Sequence, residues 1–277
     1  MTVQAEGRTS RRFLPARELT FLAGLRNQTR VIKAVTIREI SERYGTEGLG
    51  YFWVFGEPML LCFGVMILWT ILKNNHGGSV GFGLFALTGY SHVQLFRHCV
   101  FNSSQAISRS VWLAYHSSVH PLDILIAKTL MGSLGIFGAF VIGYLILYVF
   151  GGVELPRDPL LVVAAWGLDT LFCFSFSLVI AGISDISHLA EKLLHPLMYL
   201  TIPLMGSFTF TDWLPVAARK VLVWSPLVNA VEMLRAGVYP LDIRTYWDPG
   251  YILFSSLVCL TIGLPLVSYA RKPIVVR

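Results

Sequence analysis

The chain has 277 residues, of which 55% are hydrophobic and only 14% charged, with a formal net charge of +6. That composition excludes a soluble globular domain, which could not cover so much apolar surface, and the length leaves room for one compact bundle and little more. The positive balance reads as membrane topology plus attraction to anionic headgroups, and no nucleic-acid partner is expected.

Residues 1–28 read as a basic cytoplasmic tail and 29–273 as a membrane domain. The first thirty residues lack an apolar core of the usual ~7–15 residues, so no cleaved leader is expected. Over Ala34–Tyr44, residues Ala34, Ile37, Ile40 and Tyr44 share one helical face. Arg38, Glu39, Glu42 and Arg43 take the other face, with Arg38–Glu42 and Glu39–Arg43 spaced to pair. This is the pattern of a helix lying in the membrane interface; an ordinary solvated helix packed on a partner is the alternative. Gly45, Gly48 and Gly50 then form a corner into Tyr51, Phe52 and Trp53, whose rings suit the headgroup level.

Six apolar stretches follow, at about residues 52–72, 82–100, 124–150, 160–183, 193–210 and 251–270. Each is near the roughly 20 residues a helix needs to cross a bilayer. They predict an all-α membrane protein with six transmembrane helices. Glu57 and Pro58 lie about one turn into the first span. A carboxylate deep in lipid costs about 2.5–3.5 kcal/mol on insertion scales. Glu57 is therefore an acid facing a pathway, or a near-interface acid reaching water or a basic neighbour. The second span carries Thr88, Tyr90, Ser91, His92 and Gln94, which are poor lipid neighbours and predict a bundle interior or a water-accessible path. In the third, Gly135, Ala139 and Gly143 form a small-residue stripe for close helix packing. Asp169 in the fourth is expected to face protein, and Pro196 and Pro203 break the fifth. Cys62, Cys99, Cys173 and Cys259 read as free thiols among apolar neighbours. His116 and His120 have no acidic or sulfur partner beside them, so no metal site is expected.

An even number of spans puts both termini on one side. Of the 22 lysines and arginines, only Lys73, Arg157, Arg219, Lys220, Arg235 and Arg244 fall on the other, so the termini are expected in the cytoplasm. Two connections are long enough to require helices of their own. The inner one reads as a short helix from Asn102 or Ser103 to His116, with Ile107, Val111 and Tyr115 on one side and Trp112 exposed for docking. In the outer one, Ser225 as cap, Pro226 in the first turn and Gly237 past the end mark a helix. Leu227, Val231, Leu234 and Val238 form its apolar face and Asn229, Glu232 and Arg235 its polar one. Helices dipping into the outer leaflet fit this pattern, as does a cap packed on the bundle.

There is no G-x-x-x-x-G-K-[ST] motif and no catalytically spaced carboxylate pair, so no enzyme is expected. The run from Arg38 to Pro58, REISERYGTEGLGYFWVFGEP, resembles the block preceding and opening the first span of type-2 ABC exporter permeases. Within these it is most similar to capsular polysaccharide exporters, with O-antigen exporters as close relatives. VHPLDILIAK, at 119–128, and WSPLVNAVEM, at 224–233, resemble two further blocks in the same order. Thr46-Glu47-Gly48 departs from the more basic or neutral turn expected in the first block.

The resemblance implies a homodimer of six-span subunits in the bacterial inner membrane, joined to two copies of a separate ATPase that binds the ATP and magnesium. The cargo is a lipid-linked polysaccharide, with a periplasmic export partner beyond; exporters of drugs or small lipids share the fold. The interface helix becomes about residues 30–44, with Arg30, Lys33, Arg38, Arg43 and Tyr44 toward headgroups. The ATPase-coupling helix becomes about 103–116, with Ser104, Ile107, Ser108, Val111, Trp112, Tyr115 and His116. The outer re-entrant helices become about 214–237. Sugars are polar at their edges and apolar on their faces, so Tyr51, Trp53, Glu57, Tyr90, His92, Phe96 and Tyr199 are candidates for the path. Aromatic-belt or core packing is the competing role for each ring. A secondary transporter would favour inverted repeats, and a membrane transferase would need acidic metal-binding motifs; neither is seen.

Overall fold

A computed structural model describes residues 21–44, 81–104, 106–109, 120–151, 153–240 and 244–275, with scattered positions between 56 and 68. The described residues form α-helices and short 3₁₀ turns, with no strand among them. In chain order these are α1 (Phe21–Tyr44), α2 (Phe82–Ser103), α3 (Ala106–Arg109), α4 (Pro121–Gly151) and α5 (Pro159–Ile186). Then come α6 (His188–Thr201), 3₁₀ turns at Ile202–Met205 and Thr211–Trp213, α7 (Val216–Leu222), α8 (Pro226–Val238) and α9 (Pro249–Val275).

Three of the expected spans are helices long and apolar enough to cross a membrane: Pro121–Phe150, Pro159–Ile186 and Pro249–Ala270. Helix α2, with 22 residues, is about 33 Å long at 1.5 Å per residue, yet its polar groups keep it below that standard of apolarity. The fifth stretch is interrupted. Pro196 lies inside α6, whose 14 residues pass into the Ile202–Met205 turn. The chain then reverses at Gly206, whose φ of 70° suits a residue without a Cβ. Most of the first stretch lies outside the described residues.

Helix starts follow local chemistry. At α5 the Asp158 carboxylate accepts the Leu161 N–H at 3.0 Å, with Pro159 in the first turn. At α4 the Asp123 carboxylate accepts the His120 N–H at 3.1 Å. Helix α5 occupies the centre, packed against α9 along its length, α8 at its N-terminal end and α2 on another side, while α2 also packs on α4. Glycines set the closeness of the α5–α9 crossing. A Cβ on Gly182 would strike Leu266, and one on Gly263 would strike Leu178. The expected α4 stripe works similarly, with Gly143 lying against Leu87 of α2. Away from α5, helix α9 exposes Leu253, Phe254, Leu257, Val258 and Ile262, a surface suited to lipid.

Helix α1 has two working faces. Val35 is buried against Ile124 and Ala127 of α4, with Val31 and Ile32 beside it. Gln28 donates to Asp123 at 3.2 Å, and Lys128 lies 3.8 Å from Glu39. Ala34 and Ile37, expected on the apolar face, are exposed on the surface of the chain, on the same side as Arg26, Arg30 and Lys33. The protein-facing stripe is thus the one whose periodicity is least clean in the sequence.

Candidate coupling, path and outer-hairpin sites

At the C-terminal end of α2, Asn102 and Ser103 do not cap a new helix. They extend α2 by another turn, Asn102 donating to the His98 carbonyl at 2.8 Å and Ser103 to that of Val100 at 2.8 Å. These side chains satisfy the carbonyls of the helix behind them rather than the amides ahead. Ser104 ends α2, and α3 begins at Ala106. Ser104 is buried and Ser108 exposed. The Ser108 N–H donates to Asp185 at 3.0 Å, and its hydroxyl donates to the same oxygen. Asp185 sits in the last turn of α5, so the inner connection is tied directly to the central helix. Ile107 lies in α3, its side chain outside the described residues, as are Val111, Trp112, Tyr115 and His116.

Halfway along α2, His92 and Asp169 of α5 form a buried pair, Nδ1 to Oδ2 at 2.7 Å, with side chains 0% and 4% exposed. Cys173 donates to the other Asp169 oxygen at 3.6 Å. The expectation that Asp169 faces protein is met. Thr88 and Ser91 are buried as well, Thr88 bonding back to the carbonyls of Leu84 and Phe85. Of the path candidates, His92 and Phe96 are enclosed in the single chain, and Phe96 packs 5.4 Å from Phe176. They reach no open surface there. Tyr90 is half-buried. Tyr199 is exposed, with the Arg97 guanidinium 5.4 Å over its ring. Tyr51, Trp53 and Glu57 lie outside the described residues. Of the interface residues, Arg30, Lys33 and Arg38 are exposed, and the side chains of Arg43 and Tyr44 lie outside those described.

At the opposite end of the bundle, α7 and α8 meet at 103°, a re-entrant or broken arrangement. Helix α8 runs from Pro226 to Val238, so Gly237 lies within it rather than beyond it. A Cβ there would meet Val162 and the Asp158 carbonyl of α5. Its expected polar stripe is as buried as its apolar face: Asn229, Glu232 and Arg235 are 1%, 0% and 0% exposed. Each binds a different stretch of chain. Asn229 donates to the carbonyls of Val223 (2.6 Å) and Ser225 (3.0 Å) and accepts the Asp248 N–H at 3.0 Å. Glu232 accepts the N–H groups of Thr211 and Tyr246, both at 3.2 Å. Arg235 donates to the carbonyls of Gly206 (2.9 Å), Thr209 (2.9 Å) and Ser207 (2.7 Å). Its guanidinium also lies 4.5 Å over the Phe85 ring and 4.7 Å over that of Phe210. Arg235 and Glu232 approach to 3.7 Å, neutralising each other where water is scarce. Gly89 of α2 makes room for this node, since a Cβ there would overlap the Ser207 carbonyl.

A helical bundle with outward apolar faces, a buried His–Asp hydrogen bond and a hairpin clasped by buried polar side chains defines a multi-pass membrane protein. The chain belongs to the ABC-2 type transporter family, whose model matches residues 30–239. It is 32% identical over 253 residues, 91% of this chain and 96% of the relative, to the capsule polysaccharide export inner-membrane protein CtrC of Neisseria meningitidis serogroup B. It is 30% identical over 257 residues, 93% of this chain and 97% of the relative, to the capsule polysaccharide export inner-membrane protein BexB of Haemophilus influenzae. To the polysialic acid transport protein KpsM of Escherichia coli it is 25% identical over 248 residues, 88% of this chain and 95% of the relative.

Proposed function

We propose that this chain is the membrane permease of an exporter that moves lipid-linked capsular polysaccharide across the bacterial inner membrane, working as a homodimer with two copies of a separate ATPase. The observation that carries this reading is the nearly end-to-end similarity to proteins named for capsule polysaccharide export. Both termini then lie in the cytoplasm, and the outer hairpin faces a periplasmic partner. The permease itself performs no catalysis, and ATP with magnesium is held by the partner.

The packing supports a mechanical route for coupling. Helix α5 has 28 residues and is about 42 Å long. Its inner end holds the coupling segment through Ser108 and Asp185. Its outer end holds the hairpin, because the Asp158 N–H donates to the Gly237 carbonyl at 2.9 Å. Its middle is fixed to α2 by the His92–Asp169 pair. A displacement of residues 103–116 by the ATPase is thereby passed along one rigid helix to the outer hairpin. Tyr90 and Tyr199, with Tyr51, Trp53 and Glu57, supply ring faces and hydrogen-bonding edges along the polymer's way. In this arrangement His92 acts from inside the bundle, positioning α2.

Three experiments test the reading. Deleting the gene should abolish surface polysaccharide, and purification of the tagged chain from cells expressing the whole gene cluster should recover an ATPase subunit in equal amount. A Trp112→Asp, Tyr115→Asp variant should insert normally and fail to export. Wild-type surface polysaccharide in the deletion strain would overturn the assignment.

A further inference from the structure

The outer end of the bundle carries a half-open cavity of about 190 Å³ lined by Arg157, Arg235, Ala236, Tyr239, Pro240, Arg244 and Thr245. Three of its seven lining residues are arginines. Arg157 comes from the α4–α5 loop and is brought to the last turn of α8 by the Asp158–Gly237 backbone bond. Arg244 approaches from the segment leading to α9. Both are exposed, and among the described residues neither guanidinium forms an ion pair or hydrogen bond. The described carboxylates at this end are occupied elsewhere or stand aside. Glu232 holds Thr211 and Tyr246, Asp158 caps α5, Asp212 lies 3.5 Å from Arg219, and Asp248 caps α9. Glu154 does not line the cavity. The Tyr239 hydroxyl and the Arg235 Nε, on residues that also contribute to the lining, are buried behind this surface.

We propose that this cavity is an oxyanion-binding site, taking a carboxylate or phosphate group carried on the sugar polymer as it leaves the outer hairpin. Arg157 and Arg244, the two exposed guanidinium groups of the lining, supply the attraction and the hydrogen-bond donors. Two solvent-facing arginines give a weak, salt-sensitive hold, which suits a chain that must keep moving. The identity of the polymer rests on the export reading; the chemistry of the cavity does not.

The test uses the full chain in phosphatidylcholine nanodiscs at low salt. The probes are a glucuronate-containing tetrasaccharide and neutral maltotetraose, compared by isothermal titration. The charged probe should bind at least tenfold more tightly. Arg157→Ala/Arg244→Ala should lower its affinity by about tenfold, as expected for two exposed ion pairs, with unchanged thermal unfolding. Arg157→Lys/Arg244→Lys should retain most of it. Equal binding of both probes, or an undiminished preference in the double alanine variant, would overturn the proposal. So would a result in which phosphatidylglycerol nanodiscs abolish tetrasaccharide binding and the double alanine variant loses bound phosphatidylglycerol, since the occupant is then a lipid headgroup. Loss of the preference in the variant, beside intact surface polysaccharide in a gene-deletion strain, would uphold the site while removing the export reading.

Discussion

Replacing Arg235 by methionine keeps most of the side-chain volume and removes the charge. The guanidinium is 0% exposed and donates to three carbonyls, at 2.9, 2.9 and 2.7 Å. Charge-assisted bonds are each worth about 1.5–3 kcal/mol, yet three on one side chain are not independent, and the desolvation cost of the arginine disappears with it. Glu232 loses a cation 3.7 Å away but keeps two backbone donors. Breaking a buried pair by removing one partner costs about 3–5 kcal/mol, so Arg235→Met should destabilise by about 4 kcal/mol, on the order of a 10 °C fall in unfolding temperature for a chain of this size. Arg235→Lys should recover about half: an ammonium keeps the charge but cannot match the planar fork that spans Gly206, Ser207 and Thr209. The assay is thermal unfolding in detergent, followed by tryptophan fluorescence, with a double-mutant cycle against Glu232→Gln. That cycle should return a coupling of about 1–3 kcal/mol. An Arg235→Met protein unfolding within about 2 °C of the parent, or a cycle with no coupling, would show that the hairpin is held by something other than this clasp.

Three other perturbations follow from the same packing. Asp169→Ala leaves His92 buried without its partner and should cost about 3 kcal/mol, whereas His92→Leu/Asp169→Leu should recover much of the loss; unfolding temperatures of the two variants decide it. Asp185→Ala releases the Ser108 segment at a partly exposed site, so stability should fall by about 1 kcal/mol or less. Export per ATP hydrolysed, measured in proteoliposomes with the partner, should fall far more, and unchanged coupling would remove α5 from the transmission route. Gly182→Leu forces α5 and α9 apart at their closest crossing and should cost about 3 kcal/mol or more, read as loss of folded protein by size-exclusion chromatography.

The solvent and the element type were written in the sequence. Apolar runs such as those giving α4, α5 and α9 match the bilayer's thickness, and only a helix satisfies every backbone group within such a run. Pro226 correctly marked a helix start. Periodicity failed where a helix is enclosed on all sides. By spacing, Asn229, Glu232 and Arg235 look like a solvent face. They are buried because two loops, reached at separations of 14 to 29 residues, bring backbone groups that need those side chains. On α1, both Val31–Val35 and Ala34–Ile37 are apolar enough to be covered, and only the presence of α4 selects the first.

The sequence alone therefore determined that this is a helical protein living in lipid, because hydrophobic length is a local property that no folding partner can change. Which polar groups meet was decided by tertiary structure. His92 and Asp169 stand 77 residues apart, and nothing in either neighbourhood marks the other as its partner. A buried charge must find its complement wherever the packed chain delivers one, and that delivery is a property of the whole bundle.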